Sequence, residues 1–186
     1  EMADGPQPFA VGESFDGSAD ALRDYQQEVE NFVSNFGTGS KNAQMAIFDF
    51  ALRFALKDMA NDGSGNYNMA NFNTTGLRFN PSGALDAGGI VTFVENHDFD
   101  RGGYKQVACP RGDIKVGNTC LEFFFQDDHA PVFQDKHIAY AYIMAAEGTP
   151  SIFWKDWFWY NLDDEIGWLM NLREQFAKGS SAPMSS

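Results

Sequence analysis

The chain has 186 residues, 44% apolar and 21% charged, enough for one ordinary domain with a substantial core and unlike a disordered segment. Twenty-six acidic residues against thirteen basic ones give a formal charge of −13, which argues against nucleic acid or an anionic membrane surface as partner and leaves neutral substrates open. No apolar run approaches the ~20 residues of a membrane-spanning helix.

Glu1-Met2-Ala3-Asp4-Gly5-Pro6 carries no signal-peptide pattern. Residues 9–13, apolar and ending in Gly12 and Glu13, read as a first strand. Over 19–36, Leu22, Tyr25, Val29, Phe32, Val33 and Phe36 recur at helical spacing, and Gly37 follows as a stop. Residues 45–50 predict a second strand ending near Asp49, continued by a helix over 50–60 that presents Leu52, Ala55, Leu56 and Met59 on one side. Residues 61–65 break it. The Asn-, Gly- and Ser-rich stretch over 67–89 reads as an irregular connection with a short helix. Ile90-Val91-Thr92-Phe93-Val94 is β-branched and aromatic, as expected of a strand buried on both faces, and it stops abruptly at Glu95-Asn96-His97-Asp98.

Residues 99–132 form a second long excursion, of the length usually reserved for functional or mobile loops. Cys109 and Cys120 lie within it and leave two readings open: a small disulfide ring, which points to an oxidising compartment, or two free thiols. Zinc-type spacings such as CxxC or HExxH are absent from the sequence, so no metal site is expected in it. A helix over 135–147 then ends at Gly148, and residues 149–154 read as a fourth strand. The last helix spans 163–177, burying Ile166, Leu169, Met170, Leu172 and Phe176, with Asp163 or Asp164 as N-cap. Residues 178–186 are a polar, Ser-rich tail or linker.

Strand followed by helix, four times over, implies an α/β chain with parallel strands and helical crossovers, in either an open sheet or half of an eight-unit barrel. Three of the four strands end in a carboxylate: Glu13, Asp49 and Asp98. Such groups cap helices and turns, and paired across a sugar they are also the equipment of glycoside hydrolases, where one protonates the leaving oxygen and another acts at the anomeric carbon. The aromatic content of 15%, with eighteen Phe and four Trp, suits sugar stacking as well as core packing.

Val11-Gly12-Glu13 and Phe93-Val94-Glu95-Asn96-His97-Asp98 resemble two short signatures of the α-amylase family of glycoside hydrolases, at the ends of its fifth and seventh barrel strands. Between them, Ala46-Ile47-Phe48-Asp49-Phe50 with Leu52-Arg53 resembles the sixth strand. Ala139-Tyr140-Ala141-Tyr142 through Gly148-Thr149-Pro150-Ser151-Ile152-Phe153 resembles the seventh helix and eighth strand. The resemblance implies a (β/α)8 TIM barrel, with 1–177 as the C-terminal half of the catalytic domain, strands five to eight. It implies Glu13 as general acid/base, Asp98 as stabiliser of the transition state through hydroxyls of the distorted ring, and His97 as a hydrogen-bond donor to them; Asp49 has no catalytic counterpart.

The implied activity is retaining hydrolysis of internal α-1,4 bonds in starch or related α-glucans, by a secreted protein. The alternatives are transglycosylation or α-1,6 hydrolysis on the same scaffold, or a non-catalytic carbohydrate-binding or structural half-domain. The family's nucleophile, an Asp at the end of the fourth strand with an Arg two residues before it, has no match, nor do the first four strands or the small domain that usually binds calcium. No cofactor is therefore expected in this chain, with calcium reserved for the absent half of the parent. Such a half should expose two strand edges and the inner face of its sheet, associate with itself or its missing half, and be inactive alone. Trp154-Lys155-Asp156-Trp157 departs from the family's Tyr-Gly-Asp-Tyr type of sequence at the rim of the eighth strand.

Overall fold

The computed structural model describes residues 9–36, 45–100, 102–107, 114–116, 119–125 and 130–179, with the backbone alone for 33–36 and for the strands between 102 and 125. In chain order these are β1 (Val11–Gly12), α1 (Ala19–Phe36), β2 (Ala46–Phe48), α2 (Phe50–Asn61), β3 (Ile90–Phe93), β4 (Gly102–Val107), β5 (Ile114–Val116), β6 (Thr119–Phe125), α3 (Lys136–Ala145), β7 (Thr149–Ser151), α4 (Trp154–Phe158) and α5 (Asp163–Phe176). Two 3₁₀ turns, Met69–Asn73 and Ala87–Gly89, lie in the connection between α2 and β3.

β1, β2, β3 and β7 form one parallel sheet in that spatial order. Val11 faces Ala46, Ile47 faces Ile90, and Val91 faces Thr149. Each strand lies beside the previous one, without the reversal of order that marks doubly wound sheets. The chain is therefore α/β with a sequentially wound parallel sheet, compatible with half of a barrel wall. All four residues of β3 are buried, which agrees with a strand covered on both faces. The exposed inner face expected of a half-barrel is accordingly not found at this central strand. Phe15, Phe50, Phe54, Phe93 and Phe99 pack ring against ring about it, with centroids 5.0 Å apart for Phe15–Phe50 and 5.2 Å for Phe15–Phe99. Exposure falls instead on the edge strands, at Val11 and Thr149.

The helices follow their apolar spacing. Leu22 of α1 is fully buried in a cluster with Ile47, Phe50, Leu77, Ile90 and Phe93. A second cluster joins Leu52 and Leu56 of α2 to Ala139, Tyr140, Ile143 and Met144 of α3 and to Ile166 of α5. Fully burying an aliphatic or aromatic side chain of this size contributes about 1.5–3 kcal/mol, so these two clusters fix how the helices lie on the sheet.

Four further expectations are corrected. Met170 and Phe176 of α5 are exposed: the helix meets α3 along a narrow stripe, where the Arg173 guanidinium donates to the carbonyls of Met144 at 2.9 Å and Ala146 at 2.8 Å, taking space that an apolar side chain would fill. The residue before α5 is Leu162, with no side-chain cap, and Asp163 and Asp164 lie in the first turn, where negative charge complements the helix dipole. The fourth strand stops at Ser151 and the chain turns into α4, so Trp154 begins a helix. The excursion read as loop also holds an antiparallel sheet, ordered β4-β6-β5.

Candidate active site

Carboxyl ends of parallel strands are where α/β folds assemble their sites. The end of β2 is structural. Asp49 accepts from the backbone N–H of Leu52 at 2.9 Å, capping α2, and from Leu77 at 2.8 Å, tying down the following connection. Gly76, at φ +85°, brings the backbone within reach, since a Cβ there would stand 2.9 Å from Asp49 Oδ2. Burial pushes the Asp49 carboxyl up to about 6, against the two backbone hydrogen bonds that lower it. Its assignment to structure agrees with this geometry.

The ends of β1 and β3 meet across it. Asn96 Nδ2 donates to Glu13 Oε1 at 3.2 Å. The same amide's Oδ1 accepts from the backbone N–H of Asp98 at 2.9 Å and of Phe99 at 3.2 Å, so Asn96 folds the turn and also holds Glu13 against it. The turn lifts His97 toward solvent, with its side chain 73% exposed, and leaves Asp98 beside it half-buried, with His97 Nε2 3.7 Å from Asp98 Oδ2. Glu13 is exposed as well. The three residues singled out for substrate chemistry are thus presented at one end of the sheet, with Asn96 as the link between them.

Beneath them lies a buried polar group missed in the sequence. Arg53, with no exposed surface, donates from Nη2 to Glu95 Oε1 at 3.0 Å and to Ala130 O at 2.8 Å, and from Nε to Val94 O at 3.2 Å. Its Cζ stands 3.4 Å from the centroid of the Phe99 ring. The Val132 N–H donates to Glu95 Oε1 at 2.5 Å, so the same carboxylate ties the return of the excursion to Arg53 of α2. Burial pushes Glu95 up to about 7, opposed by the charges of Arg53 and Lys136, and pushes the Arg53 guanidinium down. Arg53 Nη1 and Glu95 Oε2 are buried without a hydrogen-bond partner among the described residues. The available signal was a lone Arg inside the apolar run of α2.

The third polar group follows β7. Buried Asp156 accepts from Lys136 Nζ and from the Tyr140 hydroxyl, both at 2.6 Å, and burial beside Asp156 pushes the Tyr140 phenol up. Asp100, one residue past Phe99, pairs with Lys155 and accepts from the Tyr160 hydroxyl at 2.9 Å. A cavity of about 490 Å³ lined by Gly88, Gly148, Thr149 and Arg173 lies at the opposite, amino end of the strands, away from these groups.

Cys109 lies outside the described residues, and Cys120 is described only as a backbone position of β6, so their pairing is not addressed by the geometry. Of the tail over 178–186, residues 180–186 also lie outside the described residues. Among the described residues no group of three or more His, Cys, Asp or Glu could hold a metal ion, and none is long and apolar enough as a helix to cross a membrane. Neither a family model nor any curated protein matches the sequence.

Proposed function

We propose that the chain supplies one half of the active site of a secreted α-amylase-type (β/α)8 barrel that hydrolyses internal α-1,4 bonds of α-glucans with retention. The observation that carries this reading is the bridge from Asn96 to Glu13, which brings a carboxyl group and the His97-Asp98 pair to one end of neighbouring parallel strands. Glu13 protonates the glycosidic oxygen as the bond to C1 breaks and a carboxylate nucleophile bonds C1 from the other face. The Glu13 carboxylate then takes a proton from water, and that water displaces the nucleophile from C1. Asp98 accepts from, and His97 donates to, the hydroxyls of the distorted ring. The nucleophile comes from the complementary barrel half, which pairs with the free edges of β1 and β7.

In the complete enzyme, Glu13→Gln should lower turnover by about 10²- to 10⁴-fold with α-glucan binding retained, measured as reducing-sugar release and by calorimetry. Near-normal turnover would remove Glu13 from its role. The isolated chain should release no reducing sugar from starch, because the first displacement lacks its nucleophile.

A second reading, a non-catalytic carbohydrate-binding or structural half-domain, is favoured by one observation: β3 is fully buried within this chain alone, as in a module that needs no other half. A parent protein without an Arg-x-Asp at an upstream strand end would favour it. Transglycosylation or α-1,6 hydrolysis would be separated from the leading reading by the products formed from linear and branched glucans.

A further inference from the structure

The segment after β7 carries aromatic surface that the proposed hydrolysis does not use. Trp154 is 49% exposed, Phe158 71%, Trp159 62% and Tyr160 48%, all within a single short stretch. The Trp154 and Trp159 rings meet edge to face, with centroids 4.9 Å apart and planes at 76°, and so form a corner. Polar contacts hold that corner in place. The Lys155 ammonium lies 5.2 Å from the Trp159 centroid and pairs with Asp100, and Lys136 lies 5.0 Å from the Tyr160 ring. Asp100 also accepts from the Tyr160 hydroxyl, and its backbone N–H donates to Asn96 O at 3.2 Å. The aromatic corner is therefore fastened to the turn that presents His97 and Asp98.

We propose that Trp154 and Trp159 form a stacking subsite for a pyranose ring of an α-glucan whose chain continues to the Glu13–Asp98 site. This proposal rests on the α-glucan reading above. The choice of occupant follows from the chemistry of the corner. Its rings alternate with an ammonium, a carboxylate and a phenol, which suits a ligand with apolar C–H faces and hydroxyl edges better than a wholly apolar protein surface. A net charge of −13 favours a neutral ligand over an anionic one. Attachment through Asp100 fastens the corner to the turn that carries His97 and Asp98.

The test is calorimetric titration of the full chain with maltoheptaose, with folding checked by circular dichroism. Trp154→Ala and Trp159→Ala should each weaken binding by roughly tenfold, and Trp154→Phe, which keeps an aromatic face, should restore most of it. Trp168→Ala should leave the affinity unchanged, because Trp168, 62% exposed, sits on α5 and is no part of the Trp154–Trp159 corner. Unchanged affinity in folded Trp154→Ala and Trp159→Ala, or an equal loss in Trp168→Ala, would overturn the subsite. So would indole resonances of Trp154 and Trp159 that shift with chain concentration and ignore sugar, since a second copy would then be the occupant. A chain that ignores maltoheptaose while the complete enzyme cleaves starch in a Glu13-dependent manner would overturn the subsite and leave hydrolysis standing. Binding through Trp154 and Trp159 alongside full turnover of Glu13→Gln would uphold the subsite and remove the hydrolytic role of Glu13.

Discussion

The segment from Val94 to Phe99 belongs to two polar regions of opposite construction. Its inward side, Glu95 with the Val94 carbonyl and the Phe99 ring, wraps around Arg53 with no access to solvent. Its outward side, Asn96, His97 and Asp98, leans on a few hydrogen bonds and is partly open to water, with His97 the most exposed of the three. The chain leaves β3 as a turn closed by Asn96, so residues 96–98 lie on its outer side while Glu95 and Phe99, on either side of them, are buried. The difference separates the task of fixing the chain path from the task of presenting side chains: the buried region is costly to disturb, and the open one can carry reactive groups with little consequence for folding.

The largest effect should come from breaking the buried region. Arg53→Met leaves the Glu95 carboxyl buried without its cation and strips two carbonyls of their donor, and it should cost about 3–5 kcal/mol in urea unfolding. Adding Glu95→Leu to Arg53→Met should recover part of that loss, because a buried pair replaced by apolar side chains no longer leaves an orphaned charge. A double variant no more stable than Arg53→Met would show that the two side chains do not act as a unit.

Next in size is pH dependence. Glu95 is raised from 4.5 to about 7 and Asp49 from 3.8 to about 6, in each case chiefly by burial. A carboxyl whose folded value lies above its unfolded one contributes stability below the unfolded value and loses it as pH rises through the folded value. Unfolding free energy should therefore fall between about pH 4.5 and pH 7, by up to roughly 3 kcal/mol for Glu95. Denaturant titrations near both ends of that window check the sign. Glu95→Gln should keep only the part of the slope that Asp49 supplies, which is complete near pH 6; an unaltered slope up to pH 7 would exclude Glu95 as its source.

Much of the fold was legible because its signals are local. The apolar spacing of α1 gives the observed 19–36, and the β-branched run at Ile90 gives a strand buried on both faces. Asp49 was readable as a strand-end cap because the helix that it caps follows at once. Arg53–Glu95 was not, because its partners are 42 residues apart in the chain and neither has a local partner that would advertise it. The antiparallel pairing of β4 with β6 is likewise non-local: Gly102 faces Phe125, with the rest of the excursion between them. Of the open site, Glu13, His97 and Asp98 were legible from their positions at strand ends. The part played by Asn96 was not, since its hydrogen bond to Glu13 crosses 83 residues.

The smallest effects should come from the open side, and they sharpen the contrast most. Asn96→Ala removes the acceptor for the Asp98 and Phe99 amides and the donor to Glu13 and should cost about 1 kcal/mol, as loss of a turn or cap hydrogen bond usually does. His97→Ala removes a side chain that is 73% exposed and stands 3.7 Å from the Asp98 carboxylate, so its unfolding free energy should stay within about 0.5 kcal/mol of the parent. The two substitutions are adjacent in sequence and differ in what they touch. If His97→Ala proved as costly as Asn96→Ala, the imidazole would be part of the turn's framework. A near-zero cost, together with weaker α-glucan binding in the complete enzyme, is what a side chain held out for substrate should give.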